Sequence, residues 1–170
     1  MENDMVAHVI GQWTAERPDL TDGLWPVEAL ARIQRMTRII DKQLKTFMAE
    51  HGLEVGEFDL LASLRRSGPP YALTAGALIP AAMVTSGAIT NRIDRLEAKG
   101  LVERVRDETD RRSVRIRLTD RGLEISGKVM EAHLDHYARL LEPLGREGSS
   151  ALAEALRTLL LAHGDTPPLD

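Results

Sequence analysis

The sequence predicts a mainly α-helical protein that carries one small β-hairpin. Apolar residues recur at helical spacing through most of the 170 residues. Between residues 101 and 118 the pattern changes to the alternation typical of strands, in two short runs separated by the polar segment DETDRRS. We therefore expect long helices on either side of a small lobe that ends in a hairpin.

The composition is typical of one globular protomer, residues 1–170, with 43% hydrophobic and 28% charged residues. No apolar run approaches the roughly 18 residues of a membrane span, and the acidic N-terminus does not resemble a signal peptide. We expect a cytoplasmic protein that does not enter a membrane. The absence of cysteine excludes disulfides, thiolate redox sensing and Cys-ligated zinc.

Two helices are expected at the N-terminus. The first covers residues 2–16, is capped by Asn3 or Asp4, and has one apolar face that includes Trp13. A structural interpretation makes Trp13 a hydrophobic anchor for this helix. A long helix is expected over residues 26–50, with a proline in its first turn and Gly52 after its end.

A lobe of smaller elements is predicted over residues 55–118. Its first helix begins at Val55 or Gly56, ends at Arg66 and places Asp59 in the first turn, where the helix dipole favours a carboxylate. Its expected inward residues are Phe58, Leu61, Ala62 and Leu64. After the breaker at residues 67–70, Thr74 is expected to cap a short helix through Ala82.

The stretch Thr85–Gly100 is predicted to form the second helix of a helix-turn-helix. Its apolar residues, Ile89, Ile93 and Leu96, form one narrow stripe. Small and hydrogen-bonding residues occupy the opposite side: Gly87, Thr90, Asn91, Asp94 and Arg95. Such a helix suits a DNA major groove, although this segment alone is equally typical of an amphipathic surface helix.

The hairpin that follows favours the DNA-binding interpretation. Leu101–Arg106 and Val114–Leu118 alternate as strands, and the turn between them carries Arg111 and Arg112, so the hairpin is a wing. A helix-turn-helix followed directly by a wing is more specific than either part. The predicted fold is a winged helix-turn-helix, mainly α with a small β-hairpin wing.

The charge distribution agrees with DNA binding despite a net charge of −4. Nine Lys/Arg and six Asp/Glu lie between Thr85 and Arg117, which makes this segment +3 and leaves −7 for the rest of the chain. A basic lobe in an acidic protein is a local site for phosphate binding.

The C-terminal part, residues 119–163, is predicted to form two dimerisation helices. Thr119-Asp120 caps the first, which continues to about Glu142; residues 145–148 are expected to form a loop before the last helix. These helices and the long N-terminal helix are too apolar to be covered by a small lobe. We expect a homodimer that reads a pseudo-palindromic operator.

The chain resembles the MarR family of winged-helix repressors over nearly its whole length. The clearest match is the wing, RDETDRR at residues 106–112, which is similar to the family's D-x-x-D-R-R motif. The segments QWTAERPDL and GEFDLLASLRRSGPPY resemble the PecS and UrtR-type subgroup, whose members respond to urate. That resemblance implies a ligand-binding set at four positions: Trp13, Asp59, Arg92 and Arg104.

The helix geometry gives Arg92 a separate reason to bind an anion. Arg92 lies about 60° from the centre of the apolar stripe, on the flank that faces the protein. A half-buried guanidinium without a partner is costly, and the candidate partners are Asp59 or an anionic ligand. We hypothesise that a flat purine anion such as urate lies between Trp13 and Arg92, with Arg104 nearby. It would repel Asp59 and shift the helix, which weakens DNA binding.

The expected DNA contacts are base contacts in the major groove and phosphate contacts from the wing. The groove residues are Ser86, Thr90, Asn91 and Arg95, and the wing residues are Arg111 and Arg112. One of the two wing arginines could instead shape the loop by pairing with Asp107 or Asp110.

Other functions are less well supported by the sequence. It contains no Ser/His/Asp arrangement, phosphate loop or Gly-rich fingerprint, so we expect neither an enzyme nor a cofactor. His133 and His136 are spaced as a metal pair could be, but without defensible further ligands. A metal-responsive regulator, a winged helix that binds only proteins, and a tricarboxylate or phenolic effector remain open.

Overall fold

The computed structural model describes residues 3–81, 86–107 and 113–166, and only the backbone of residues 81 and 86–88. The chain divides into two compact units, Met1–Asp59 and Leu60–Asp170. The described part is mainly helical, with one small antiparallel sheet. None of its helices is long and apolar enough to cross a membrane.

The first unit contains α1 (Met5–Glu16), a 3₁₀ helix (Pro18–Gly23), α2 (Trp25–Glu50) and the first residues of α3 (Val55–Arg66). Asp4 caps α1 by accepting from the Ala7 amide at 2.8 Å, and it also pairs with Arg32 of α2 at 2.7 Å. One carboxylate therefore both begins α1 and ties it to α2. The predicted start of α1 at residue 2 is three residues too early.

The start of α3 depends on Glu57. Its carboxylate is fully buried and accepts from the Glu54 amide at 2.8 Å, which is the return bond of a capping box. Glu57, the third helical residue, is the acid of the first turn, whereas Asp59 lies two residues later. The predicted first-turn position of Asp59 is wrong. Because Asp59 is the fifth helical residue, it is beyond the terminal amides that a first-turn carboxylate serves.

The second unit begins in α3 and continues with β1 (Ala72–Thr74), α4 (Ala75–Ala81) and α5 (Ser86–Ala98). As predicted, Thr74 caps α4, accepting from the Ala77 amide at 3.2 Å. Residues 82–85, which include the expected end of α4 at Ala82 and the expected start of the next helix at Thr85, lie outside the described residues. On α3 the buried leucines are Leu60, Leu61 and Leu64, whereas Ala62, predicted to face inward, is half-buried.

The sheet has three strands in the order β1-β3-β2, all antiparallel. The strands β2 (Val102–Arg106) and β3 (Val114–Leu118) form the predicted hairpin. Strand β1 was not predicted, since three residues are too few to show alternation. It forms because Ala72–Thr74 pairs with Arg115–Arg117, far along the chain.

The C-terminal helices are α6 (Asp120–Leu141) and α7 (Gly145–Ala162), joined by a 3₁₀ turn at Glu142–Leu144. Thr119 caps α6 as predicted, accepting from the Gly122 amide at 3.0 Å. The loop predicted at residues 145–148 is wrong, because α7 already begins at Gly145, directly after the 3₁₀ turn.

Helix α7 has no buried residue. Large apolar side chains on α6 and α7 are about half exposed, among them Leu134 at 56% and Leu160 at 52%. In the first unit, Leu30 and Ile39 of α2 are similarly exposed. Helices in both units therefore carry apolar surface that the single chain leaves in contact with solvent.

Candidate nucleic-acid interface and effector residues

The inner side of α5 is anchored in the core of the second unit. Ile89, Ile93 and Leu96, the predicted stripe, are 3%, 2% and 0% exposed. After the helix, Gly100 takes a positive φ of 67°, the left-handed geometry of a glycine that follows a helix. The position of α5 is thus determined by packing on one side and by a defined end.

The outer side of α5 is open to solvent. Thr90 and Asn91 are exposed, and Arg95 is half-buried. Ser86 is the first residue of the helix, but its side chain is not described. The structure therefore brings Thr90 and Asn91 together on an accessible helical face, with Arg95 at its edge.

The base of the wing is fixed by a buried carboxylate. Asp107, only 7% exposed, pairs with Arg115 of β3, and its amide donates to the Ser113 carbonyl at 3.0 Å. A strand arginine thus pairs with Asp107, whereas the sequence suggested a wing-tip arginine for that role. The predicted phosphate contacts Arg111 and Arg112 lie outside the described residues.

Arg104 of β2 is held by two carboxylates of α5. Its guanidinium donates to Asp94 and Glu97, and the hydrogen bond to Asp94 raises the pKa of Arg104 above its usual value. Asp94 and Glu97 project about 160° and 140° around α5 from Arg92. Arg104 therefore binds the side of α5 opposite to Arg92. The sequence had predicted that Arg104 lies near Arg92.

Arg92 lies on the inner flank of α5. The residue is half-buried, and its Nη1 atom is buried without a hydrogen-bond partner in the described part of the chain. A desolvated guanidinium nitrogen that donates to nothing costs free energy, and an anion at this position would recover it.

The other two predicted ligand residues belong to the first unit. Trp13 of α1 is 50% exposed, and Asp59 of α3 is half-buried. A half-exposed indole is a weak anchor for α1 and leaves aromatic surface for another partner. That these residues share a site with Arg92 remains a prediction.

The histidines His133 and His136 lie half-buried on α6 around Tyr137, whose ring centroid is 4.0 Å from that of His133. Burial, and then the nearby His136, lowers the pKa of His133. Within residues 3–81, 86–107 and 113–166, no three His, Asp or Glu residues are grouped as a metal site requires.

Sequence reasoning missed two carboxylates on α5 that matter for the site. The sequence places Asp94 on the polar face of α5 and counts Glu97 among the charges of the lobe, but it assigns neither a partner. Their spacing of three residues, which puts them on one face of a helix, was the available clue. It did not indicate which cation they meet, because Arg104 reaches them from a strand.

Comparisons with known proteins agree with this architecture. Residues 51–113 match a family model described as MarR family. The transcriptional regulator PecS of Dickeya dadantii is 36% identical over 151 residues, which cover 89% of this chain and 90% of PecS.

Solved structures extend the likeness. AbsC, a MarR family transcriptional regulator from Streptomyces coelicolor, superposes with a TM-score of 0.69 at 26% identity, over 81% of this chain and 93% of AbsC. A MarR mutant from Escherichia coli complexed with operator DNA has a TM-score of 0.68 at 26% identity, over 81% and 97%. The relatives are named as regulators and not as enzymes. The chain belongs to the MarR family and is a DNA-binding transcriptional regulator of the repressor type.

Proposed function

We propose that this regulator is a homodimeric repressor that a small anionic effector, urate or a related purine, releases from a pseudo-palindromic operator. It would act in the cytoplasm. The observation that carries the proposal is Arg92 of α5, the predicted DNA-reading helix, because its buried Nη1 atom has no hydrogen-bond partner among the described residues. An anion bound there interacts directly with α5 and can favour one position of that helix over another.

Trp13, Asp59 and Arg104 complete the proposed effector set by resemblance. The half-exposed indole of Trp13 offers a flat surface for a purine ring. Arg104 is the least direct member, because an effector that draws on it must compete with Asp94 and Glu97. We therefore rank Arg92 first among the effector contacts.

The apolar surfaces of α6 and α7 support the dimer. Leu134 and Leu160 are more than half exposed, and a two-fold partner is the economical way to cover such side chains. Two copies of α5 would then face successive turns of one side of the duplex. The groove contacts would come from Ser86, Thr90, Asn91 and Arg95, and the wing contacts from Arg111 and Arg112.

The effector is tested by operator binding. An operator is selected from random duplexes, and its affinity is measured at fixed salt with and without urate, xanthine, citrate and salicylate. We expect urate to lower the operator affinity by about 5- to 150-fold, the usual range of allosteric coupling. Release by citrate or salicylate alone would replace the purine with a tricarboxylate or phenolic effector. Unchanged affinity with all four contradicts the proposal.

The dimer is tested by sedimentation at micromolar concentration. The double variant Leu134→Arg/Leu160→Arg should sediment as a monomer and lose operator affinity, because it places charges on the proposed interface. Glu131→Arg, also on α6 but at an exposed polar position, is the matched control and should remain dimeric. A wild-type protein that is monomeric at this concentration would contradict a dimer built on α6 and α7.

A further inference from the structure

The contact between Arg104 and α5 joins the two DNA-facing parts of the lobe. Arg104 lies on β2, the first strand of the wing, and its guanidinium bridges Asp94 and Glu97 of α5. All three side chains are at least one-third exposed. Exposed ion pairs contribute little to folding, about 0–1 kcal/mol, so stability alone is a weak reason for this arrangement.

The two carboxylates occupy the outer side of α5. Around the helix axis, Asp94 lies about 40° and Glu97 about 20° from Thr90, on its two sides. Asn91 is about 60° from Asp94. The acids therefore share the face whose exposed residues are the predicted base contacts.

Two carboxylates on such a face are unfavourable for DNA binding unless something neutralises them. The duplex carries one negative charge per roughly 1.7 Å of its axis. Arg104 supplies one positive charge directly between the two acids. We propose that Arg104 is a positioning and charge-masking residue: its single positive charge offsets one of the two negative charges of Asp94 and Glu97, and its hydrogen bonds to both hold α5 against β2 while the helix enters the groove.

A second ion pair in the same sheet provides the control. Arg117 of β3 pairs with Glu103 of β2 at 2.8 Å, and the two residues are directly opposite in the strand register. Their exposure, 45% and 44%, is similar to that of the Arg104 cluster. Arg117→Ala therefore removes one positive charge from the lobe as Arg104→Ala does, but it releases no carboxylate on α5.

The mask also suggests a route for effector action, which rests on the proposed function. An anion that attracts Arg104 away from Asp94 and Glu97 would leave both of their charges to repel the DNA phosphates. This repulsion would favour release of the repressor from DNA. Arg104 pairs with Asp94 and Glu97 in the absence of an effector, so the experiment is done without effector. A failure of urate release would leave the result interpretable.

The experiment is a mutant cycle read by operator affinity at about 50 mM and 200 mM salt. We expect Arg104→Ala to lower affinity by about 10-fold at the lower salt and by less at the higher salt, because screening weakens the repulsion. In the Asp94→Asn/Glu97→Gln background the same substitution should cost no more than about 2-fold. Arg104→Lys should retain most of the affinity, and Arg117→Ala should cost less than Arg104→Ala.

Two results would overturn the inference. Equal losses from Arg104→Ala in both backgrounds would make Arg104 an ordinary phosphate contact or a structural residue. An unchanged affinity in the wild-type background would show that the acids do not need neutralising. Thermal unfolding of each variant is measured alongside, and Arg104→Gln replaces Arg104→Ala if the alanine variant is unfolded.

Discussion

The two sides of helix α5 differ in burial and therefore in the role of their side chains. On the inner side, Ile89, Ile93 and Leu96 are almost completely buried, whereas Thr90 and Asn91 on the outer side are exposed. Packing therefore sets where the helix lies, and the outer side chains set what it reads. Changes on the inner side should therefore alter stability and helix position, and changes on the outer side should alter DNA binding.

Truncation of the buried stripe should have the largest effect. Leu96→Ala removes a fully buried side chain, and we expect it to lower the free energy of unfolding by about 2–5 kcal/mol, measured by urea denaturation. Thr90→Ala is the control on the outer side and should change stability by no more than about 0.5 kcal/mol. Equal losses for the two variants would remove the distinction between the sides.

Helix α6 approaches the segment after α5 closely at Gly122. A Cβ at this position would lie 1.9 Å from the carbonyl oxygen of Leu101, in the segment that follows α5. Gly122→Ala therefore forces the backbones apart and should cost about 1–3 kcal/mol of stability, followed by thermal unfolding. Gly11→Ala, in helix α1 with no atom near its Cβ, is the control and should be neutral or slightly stabilising. Comparable losses would show that the close approach does not matter.

Substitution on the outer side should leave stability intact and change DNA reading. Asn91→Ala removes an exposed side chain with two donors and an acceptor, and we expect it to lose about 1–3 kcal/mol of discrimination at one base pair. The measurement is affinity for the operator and for its single-base variants. Asn3→Ala, an exposed asparagine far from α5 in sequence, should change neither quantity. Unaltered discrimination in Asn91→Ala would remove Asn91 from the base contacts.

The elements that the sequence predicted correctly are those with a strong local pattern. The α5 stripe, the span Val55–Arg66 and the alternation of β2 and β3 each repeat within one element, and each is confirmed. Local periodicity records which side of an element is buried, so it is readable without a partner. The polar residues Thr90 and Asn91 were placed correctly on the outer side for the same reason.

The features that were missed depend on partners distant in the sequence. Strand β1 forms because β3 pairs with it, and its three residues show no local pattern that predicts the pairing. Helix α7 begins at a glycine that composition favours as a loop. Arg104 can pair with Asp94 and Glu97 only because α5 and β2 lie side by side. The local sequence pattern does not show that these two elements are neighbours.

The most direct test of the two-sided helix uses Arg92→Ala in a single titration. Operator affinity of the wild type and of the variant is measured across a series of urate concentrations, and urate binding to each free protein is measured by calorimetry. We expect Arg92→Ala to keep appreciable operator affinity, to bind urate weakly and to remain on the operator at concentrations that release the wild type. A variant that urate releases as readily as the wild type would contradict the assignment of the inner flank of α5 to the effector.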